Sequence, residues 1–201
     1  CRCIDKRNAM IIGIIDCGGA NLNSIYYSFK RLGINTVISN SKNELSGLDA
    51  YVLPGVGSAN AVMQCLRDKS LIDFIKNITK PVLGICIGMQ IMYEYSEEGD
   101  TQCLGIIDGK IKKFKSDKSL TVPQMGWNKL VCNDDLKSLN GHYYYANSFY
   151  TDSTDSAMGY TEYGVNYTSL VKKNNFIGCQ FHPEKSSVSG EKFLQYFLTT
   201  A

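Results

Sequence analysis

Short runs that are apolar at every position alternate with helical patterns, and this alternation constrains the fold most strongly. A wholly apolar run is typical of a strand buried on both faces, as in a parallel sheet covered by helices. Met10–Asp16 and Pro81–Ile85 are such runs, and further strands are predicted at Ile34–Ser39 and Leu48–Leu53. The pattern predicts an α/β fold with an open, mostly parallel sheet of the flavodoxin-like or Rossmann-like kind and helices on both faces.

Between these strands, apolar residues recur at helical spacing. Helices are predicted from an N-cap at Asn21 to Gly33, over Ala59–Leu66, Leu71–Ile78 and Gly88–Ser96, and finally over Val188–Leu198. Beyond Gly99 the chain is rich in tyrosine, valine, phenylalanine and isoleucine between turn residues, which favours an extension of shorter, partly antiparallel strands. Because no repeat or linker interrupts the pattern, residues 10–201 are interpreted as a single domain. Residues 1–9 do not resemble it and are expected to be a vector or upstream extension.

Composition limits the expected partners. The 201 residues carry a formal net charge of +2 without a densely basic stretch, so neither nucleic acid nor a membrane surface is expected to bind. No apolar run approaches the roughly 20 residues that span a bilayer. The eight cysteines are scattered and form no CxxC pair, which favours free thiols in a reducing cytoplasm over a metal site. No metal or organic cofactor is implied.

One cysteine follows a predicted strand directly. The sequence Gly84-Ile85-Cys86-Ile87-Gly88 is G-x-C-x-G, the thiol counterpart of a nucleophile elbow. A sharp strand-to-helix turn crowds the backbone around a nucleophile, so neighbours without a Cβ are favoured. The helix N-terminus that follows stabilises a thiolate, and the amide of Ile87 points to where an oxyanion would form. The pattern predicts a nucleophilic Cys86, the alternative being a buried cysteine in a glycine-rich turn.

Two histidines are candidates for the base that such a nucleophile needs. His142 lies in "NGHYYY", at a predicted loop end, whereas His182 follows the strand that ends in "GCQF". Pro183 favours an extended backbone at His182, and side chains at i and i+2 of an extended chain point to the same side. Glu184 can then accept from one imidazole nitrogen while the other faces the thiol. His182 is therefore predicted to be the base and Glu184 its orienting carboxylate, the alternative being an isolated surface histidine.

A third glycine-rich segment, "LPGVG" at Leu53–Gly57, follows the third predicted strand. Together with the amide of Ile87, its free backbone amides could complete an oxyanion hole. In order and separation, "LPGVG", "GICIGMQ", "PQMGWN" and "QFHPEKS" resemble the triad-type, class-I glutamine amidotransferases over nearly all of residues 10–201. "PGVG", "P-x-MGWN", "ANLNS" and "LGIIDGKIKKF" narrow the resemblance to the glutaminase subunits of imidazole glycerol phosphate synthase, which act in histidine biosynthesis.

The resemblance implies how glutamine would be bound and hydrolysed. Cys86 would attack the carboxamide to form a thioester, His182 would shuttle the proton, and Glu184 would orient His182. The residues implied to hold the oxyanion are Gly55, Val56, Gly57 and Ile87, and those implied to bind glutamine are Gln90, Glu98 and Ser148. A carboxylate at Glu98 suits the α-ammonium group of glutamine.

The resemblance also implies a partner, a (β/α)8 cyclase that would form a heterodimer with this chain. The cyclase would use the released ammonia to form imidazole glycerol phosphate and AICAR. The residues implied to lie near the interface are Asn21, Pro123, Gln124, Met125, Gly126, Trp127 and Asn128.

The sequence departs from the family at two positions, because Gln124 and Asn147 stand where the family has histidines. Both changes leave the predicted triad intact. Three alternatives remain open at this point. The same chemistry could serve a sugar-modifying synthase, the chain could be a non-catalytic scaffold subunit, or it could be a thiol hydrolase or deglycase, which "QFHPEKS" fits poorly.

Overall fold

The strands form two sheets in the part of the chain that the structure, a computed structural model, describes: residues 10–18, 21–55, 57–115, 120–152 and 154–201. In chain order the strands are β1 (Ile11–Ile15), β2 (Asn35–Ser39), β3 (Ala50–Leu53), β4 (Val82–Ile85), β5 (Tyr95–Ser96), β6 (Thr101–Gln102), β7 (Lys110–Lys113), β8 (Gln124–Cys132), β9 (Gly141–Asn147), β10 (Phe149–Tyr150), β11 (Ala157–Tyr163), β12 (Val165–Lys173) and β13 (Phe176–Cys179). The larger sheet has the order β2-β1-β3-β4-β13-β12-β11-β8-β9, and the smaller has the order β10-β7-β5-β6.

The larger sheet changes from parallel to antiparallel pairing along its width. Strands β2, β1, β3, β4 and β13 pair in parallel, and β12, β11, β8 and β9 continue the sheet in antiparallel fashion. The central parallel strands β3, β4 and β13 are buried along their whole length, whereas β8 alternates between buried and exposed positions. The predicted parallel sheet with an antiparallel extension is therefore confirmed.

Helices follow the parallel strands. They are α1 (Leu22–Arg31), α2 (Lys42–Leu45), α3 (Ala59–Asp68), α4 (Ile72–Lys76), α5 (Ile87–Gln90) and α6 (Ser187–Leu198), with 3₁₀ turns at Asp134–Leu139 and Pro183–Lys185. Apolar side chains from α1 and α6 meet in the core, where the rings of Phe29 and Phe197 lie edge to face at 6.4 Å. Within the described ranges, no helix is long and apolar enough to cross a membrane.

Two sequence predictions of local structure are wrong. The helix predicted over Gly88–Ser96 ends at Gln90, because the carbonyls of residues 91–93 accept hydrogen bonds from amides of residues 104–107 instead of continuing the helix. His142 was predicted at a loop end, but it lies inside β9 on an exposed face of the sheet. The predicted extension at residues 1–9 lies outside the described residues.

Candidate active site

The turn between β4 and α5 is tight and strained. Cys86 has φ 53° and ψ −110°, a backbone conformation that residues with a side chain rarely adopt and that marks many functional sites. Gly88 lies so close to the end of β3 that a Cβ there would stand 1.8 Å from the carbonyl oxygen of Leu53. A Cβ on Gly84 would stand 2.7 Å from the carbonyl oxygen of Gly88. The glycines are therefore needed for close backbone packing, as the elbow interpretation predicts.

Strand pairing brings the histidine to the cysteine. Because β13 runs parallel to β4 with Cys179 opposite Ile85, the residues after β13 lie beside the elbow, and the amide of Cys86 donates to the carbonyl of Cys179 at 2.8 Å. His182 is buried and its imidazole hydrogen-bonds the Cys86 side chain. The His182 amide donates to the carbonyl of Tyr144 at 2.8 Å, which fixes the histidine against β9.

Glu184 orients the imidazole from its other side. The Nδ1 atom of His182 lies 2.9 Å from Oε1 of Glu184. Since a carboxylate only accepts, Nδ1 donates to it and Nε2 is left for the sulfur. The structure thus brings together the three residues that the sequence predicts as a triad.

Asn21 occupies the N-cap position of α1, as the sequence predicts, but its side chain has another role. The residue has φ 95° and its side chain makes no helix-capping hydrogen bond. Its Nδ2 atom instead donates to Oε1 of Glu184 at 2.9 Å. The Asn21 side chain therefore does not cap α1; it supports the carboxylate that orients His182.

The electrostatics of this cluster separate it from the other thiols. Burial lowers the pKa of His182, but the facing Cys86 and the Glu184 carboxylate outweigh it and raise the pKa to about 10. Elsewhere, burial raises the pKa of Cys179 and of Cys17 far above the usual thiol range. Those buried cysteines are neutral thiols near pH 7, whereas Cys86 faces the imidazole of His182.

Gly55, in the "PGVG" sequence, packs directly on the elbow. A Cβ on Gly55 would stand 2.5 Å from the amide nitrogen of Ile87 and 2.4 Å from that of Gly88, so only glycine fits there. Gly57 has φ +101°, which also favours glycine. Val56, the remaining predicted oxyanion residue, lies outside the described residues. Gly55 thus lies against the backbone amides of the elbow.

A cavity of about 280 Å³, here called the elbow cavity, opens above the cysteine. Its lining comprises Asn21, Gly55, Gly57, Cys86, Ile87, Gln90, Glu98, Ala146, Asn147, Ser148, Phe149, His182 and Lys185. All three residues predicted to bind a substrate, Gln90, Glu98 and Ser148, belong to this lining. Burial raises the pKa of Glu98, a shift that its bond from the Ala59 amide at 2.7 Å partly offsets.

The residues predicted near a partner interface have mixed exposure. Met125 and Trp127 are 67% and 55% exposed, and Pro123 is also exposed. Gln124 is buried and accepts a hydrogen bond from the Tyr167 hydroxyl at 2.9 Å, and Asn128 donates to the carbonyl of Glu162 at 2.8 Å. Along β8, Gln124 is therefore buried, Met125 and Trp127 are exposed, and Gly126 and Asn128 are half-buried.

Sequence reasoning missed Gln180 and Lys185, and also Ala146 and Phe149 in the cavity lining. Gln180 donates from Nε2 to the sulfur of Cys86 at 3.5 Å, and Lys185 lines the elbow cavity. The contact of Gln180 depends on the register between β13 and β4, which the local sequence pattern does not reveal. The position of Lys185 depends on the 3₁₀ turn after His182, which the sequence pattern does not reveal.

The fold agrees with that of known proteins. Residues 13–201 match the family described as Glutamine amidotransferase class-I, to which the chain therefore belongs. A solved "glutamine amidotransferase" has the same fold with a TM-score of 0.75 at 18% identity, covering 94% of this chain and 97% of its own. The structure of PurLQS from Thermotoga maritima has a TM-score of 0.70 at 18% identity, with 94% and 98% covered.

Curated relatives make the assignment more specific. The chain is 44% identical over 192 residues to "Imidazole glycerol phosphate synthase subunit HisH" of Haemophilus influenzae, covering 93% of this chain and 96% of the relative. It is 42% identical to subunit "HisH 2" of Campylobacter jejuni, with 94% and 98% covered. It is 38% identical to the HisH subunit of Bacteroides fragilis, with 94% and 99% covered. Within the amidotransferases, the chain belongs to the family of HisH subunits of imidazole glycerol phosphate synthase.

Proposed function

We propose that the chain is the cytoplasmic glutaminase subunit of an imidazole glycerol phosphate synthase, and that it hydrolyses glutamine to supply ammonia for histidine biosynthesis. The observation that carries this proposal is the assembled Cys86–His182–Glu184 cluster at the floor of the elbow cavity. The HisH relatives support the choice of synthase. The geometry disfavours a non-catalytic scaffold, because a scaffold would not need a buried histidine paired with both a thiol and a carboxylate.

In the first half-reaction, the Cys86 thiolate attacks the carboxamide carbon of glutamine. The carbonyl oxygen becomes an oxyanion, which the amides of Ile87 and the Gly55–Gly57 turn stabilise. The C–N bond then breaks, and Nε2 of the protonated His182 gives its proton to the departing nitrogen, so that ammonia leaves and a thioester remains.

In the second half-reaction, the now neutral His182 removes a proton from water. The resulting hydroxide attacks the thioester carbon and the C–S bond breaks, so that the thiolate and the imidazolium are restored. The product leaves as the γ-carboxylic acid and becomes glutamate when it loses its proton to solvent. Glu184 keeps Nδ1 protonated throughout and stabilises the charged ring, and Asn21 holds that carboxylate in place.

Glutamine occupies the elbow cavity with its α-ammonium group near Glu98. The Glu98 Oε2 atom already accepts from the Ala59 amide, and its other oxygen is the acceptor for the substrate. Ser148 and Gln90 line the same cavity and complete the binding site.

The partner is a (β/α)8 cyclase that takes up the ammonia to form imidazole glycerol phosphate and AICAR. Its docking surface on this chain includes Met125 and Trp127, which expose large apolar side chains on β8. Trp127 packs edge to face on Tyr144 at 6.4 Å, and the Lys185 ammonium lies 5.8 Å from the Tyr144 ring centre. The exposed surface is thus continuous with the mouth of the elbow cavity, as an ammonia transfer requires.

Glutamine turnover should be measured for the chain alone, with the cyclase, and with the cyclase and its nucleotide-like ligand. We expect slow hydrolysis alone and an increase of about 100-fold in the full complex, which needs only about 2.7 kcal/mol of population shift. Full turnover by the chain alone would instead indicate an independent amidase. A stable complex without turnover in any arm would indicate a scaffold.

A further inference from the structure

Gln180 is held against the nucleophile by the pairing of β13 with β4. Cys179 is opposite Ile85 in this parallel pair, so the next residue, Gln180, lies beside Cys86. Its side chain is 1% exposed and its Nε2 atom lies 3.5 Å from the sulfur. A distance of 3.5 Å is normal for a hydrogen bond to sulfur, since the sulfur atom is larger than oxygen.

The orientation of the Gln180 amide is fixed by a chain of hydrogen bonds that ends on a backbone carbonyl. The carbonyl of Phe149 can only accept, so Gln90 must turn Nε2 towards it, at 3.2 Å. The same Nε2 atom donates to Oε1 of Gln180 at 2.8 Å. Because Oε1 is engaged there, Gln180 presents its N–H group to the sulfur.

The other groups around the sulfur differ in which protonation state of Cys86 they favour. The His182 imidazolium donates to it, whereas the carbonyl of Ala146, 3.9 Å away, can only accept and therefore favours the neutral thiol. The titratable side chains that face Cys86 from other elements are His182, Cys179 and Tyr167, and Glu98 and Lys185 line the cavity above it. Gln180 is the uncharged donor in this set.

We infer that Gln180 is a further catalytic residue, whose N–H group stabilises the Cys86 thiolate both before attack and when it departs from the thioester. Gln90 acts through it as a positioning residue, in addition to lining the cavity. The inference rests on the proposed glutaminase chemistry only where it concerns the rate of glutamine turnover. The state of the thiol itself can be measured without glutamine.

The test is the rate of Cys86 alkylation by iodoacetamide between pH 5 and 10, mapped by peptide mass spectrometry in the full chain. Gln180→Met removes the donor at similar volume, and we expect Cys86 to react about tenfold more slowly at pH 7, with the pH profile displaced upward by about one unit. Gln180→Glu places a carboxylate against the sulfur and should slow the reaction further. Gln90→Met frees the Gln180 amide to turn and should slow it about threefold.

Three controls keep the outcome interpretable. Gln195→Met removes an exposed amide on α6 and should leave the alkylation profile unchanged. The buried Cys179 should stay unreacted in every variant, because its labelling would reveal a loosened core. If Gln180→Met does not fold, Gln180→Glu and Gln90→Met carry the test in its place.

If the pH profiles of Cys86 alkylation coincided for wild type and the folded variants, the inference would be overturned, even if glutamine turnover fell. A displaced profile in a chain that hydrolysed no glutamine would instead support Gln180 and contradict the proposed function, so the two failures are distinguishable.

Discussion

The two sides of the elbow cavity are built differently. On the elbow side, the polar contacts of Cys86, His182 and Gln180 are made within the chain, and Asn21 supports the orienting carboxylate. On the opposite side, Gln124 of β8 and Asn147 of β9 lie directly across from each other, and we call this pair the β8–β9 wall. There, Nε2 of Gln124 and Oδ1 of Asn147 are buried without a partner in the described structure.

The difference suggests that the two sides of the cavity have different roles. The elbow is organised by strand pairing and leaves a buried acceptor, Oε2 of Glu184, without a partner among the described residues. The wall leaves both a donor and an acceptor unsatisfied close to the exposed Met125 and Trp127. Unsatisfied buried polar groups are costly, so contacts that rearrange the wall can release free energy. We expect the cyclase to act on the wall and on the Pro54–Gly57 turn, and to leave the elbow as it is.

The largest expected effect follows from removal of the nucleophile. Cys86→Ser should reduce glutamine hydrolysis by at least about 10⁴-fold while complex formation with the cyclase persists. A glutamine-analogue electrophile should label Cys86 in the wild-type chain and spare the other cysteines, since burial raises the pKa of thiols such as Cys179. Labelling spread evenly over several cysteines would remove the basis for the elbow assignment.

The same variant tests the electrostatic pairing. The His182 pKa is raised to about 10, and Cys86 is the first of the causes that raise it. In Cys86→Ser the lowering by burial remains and only Glu184 opposes it, so the His182 pKa should fall. Imidazole NMR titration can follow this, with the exposed His142 as the internal reference. An unchanged titration of His182 would mean that the sulfur does not face the ring as a thiolate.

A smaller effect is expected from loss of the base. His182→Asn should lower turnover by about 10²–10⁴-fold, and Glu184→Gln by less, because the carboxylate only orients and stabilises the ring. Both variants should keep their affinity for the cyclase in calorimetric titrations. Near-normal turnover by His182→Asn would show that another group accepts the proton.

Loss of the hydrogen bond from Asn21 to Glu184 should lower turnover less than loss of the base does. Asn21→Gly keeps the φ 95° backbone and removes only the side-chain donor, so we expect turnover to fall about three- to tenfold. The affinity for the cyclase separates this role from the interface role that the sequence suggests. If turnover is unchanged and binding weakens, Asn21 belongs to the interface alone.

The smallest expected effect concerns the wall. Amides do not titrate, so the activation by cyclase should be nearly independent of pH between about 6 and 8. Asn147→His introduces a buried imidazole there and should make the activation ratio vary about two- to fivefold over that range. Gln195→His, on the exposed face of α6, is the matched control. A strong pH dependence of activation in the wild-type chain would mean that a titrating group takes part in the activation by cyclase.

Most of the fold was predictable because its central parallel strands, β1, β3, β4 and β13, are almost wholly apolar and glycine-rich turns follow several of them. The triad was predictable because G-x-C-x-G and H-P-E are local patterns. The early end of α5 was not, since it depends on distant amides that bond to the carbonyls of the residues just after it. The role of Gln180 and the hydrogen bond from Asn21 to Glu184 arise from strand register and from a residue 163 positions away, which local patterns do not contain.

The division between a preorganised elbow and a partner-sensitive wall is tested most directly by the rate of Cys86 alkylation with and without bound cyclase, under conditions where turnover rises. The account predicts that the alkylation rate stays the same, or falls as the cyclase covers the cavity, while glutamine hydrolysis increases about 100-fold. An alkylation rate that rose in proportion to turnover would contradict it, because the switch would then lie at the thiol itself.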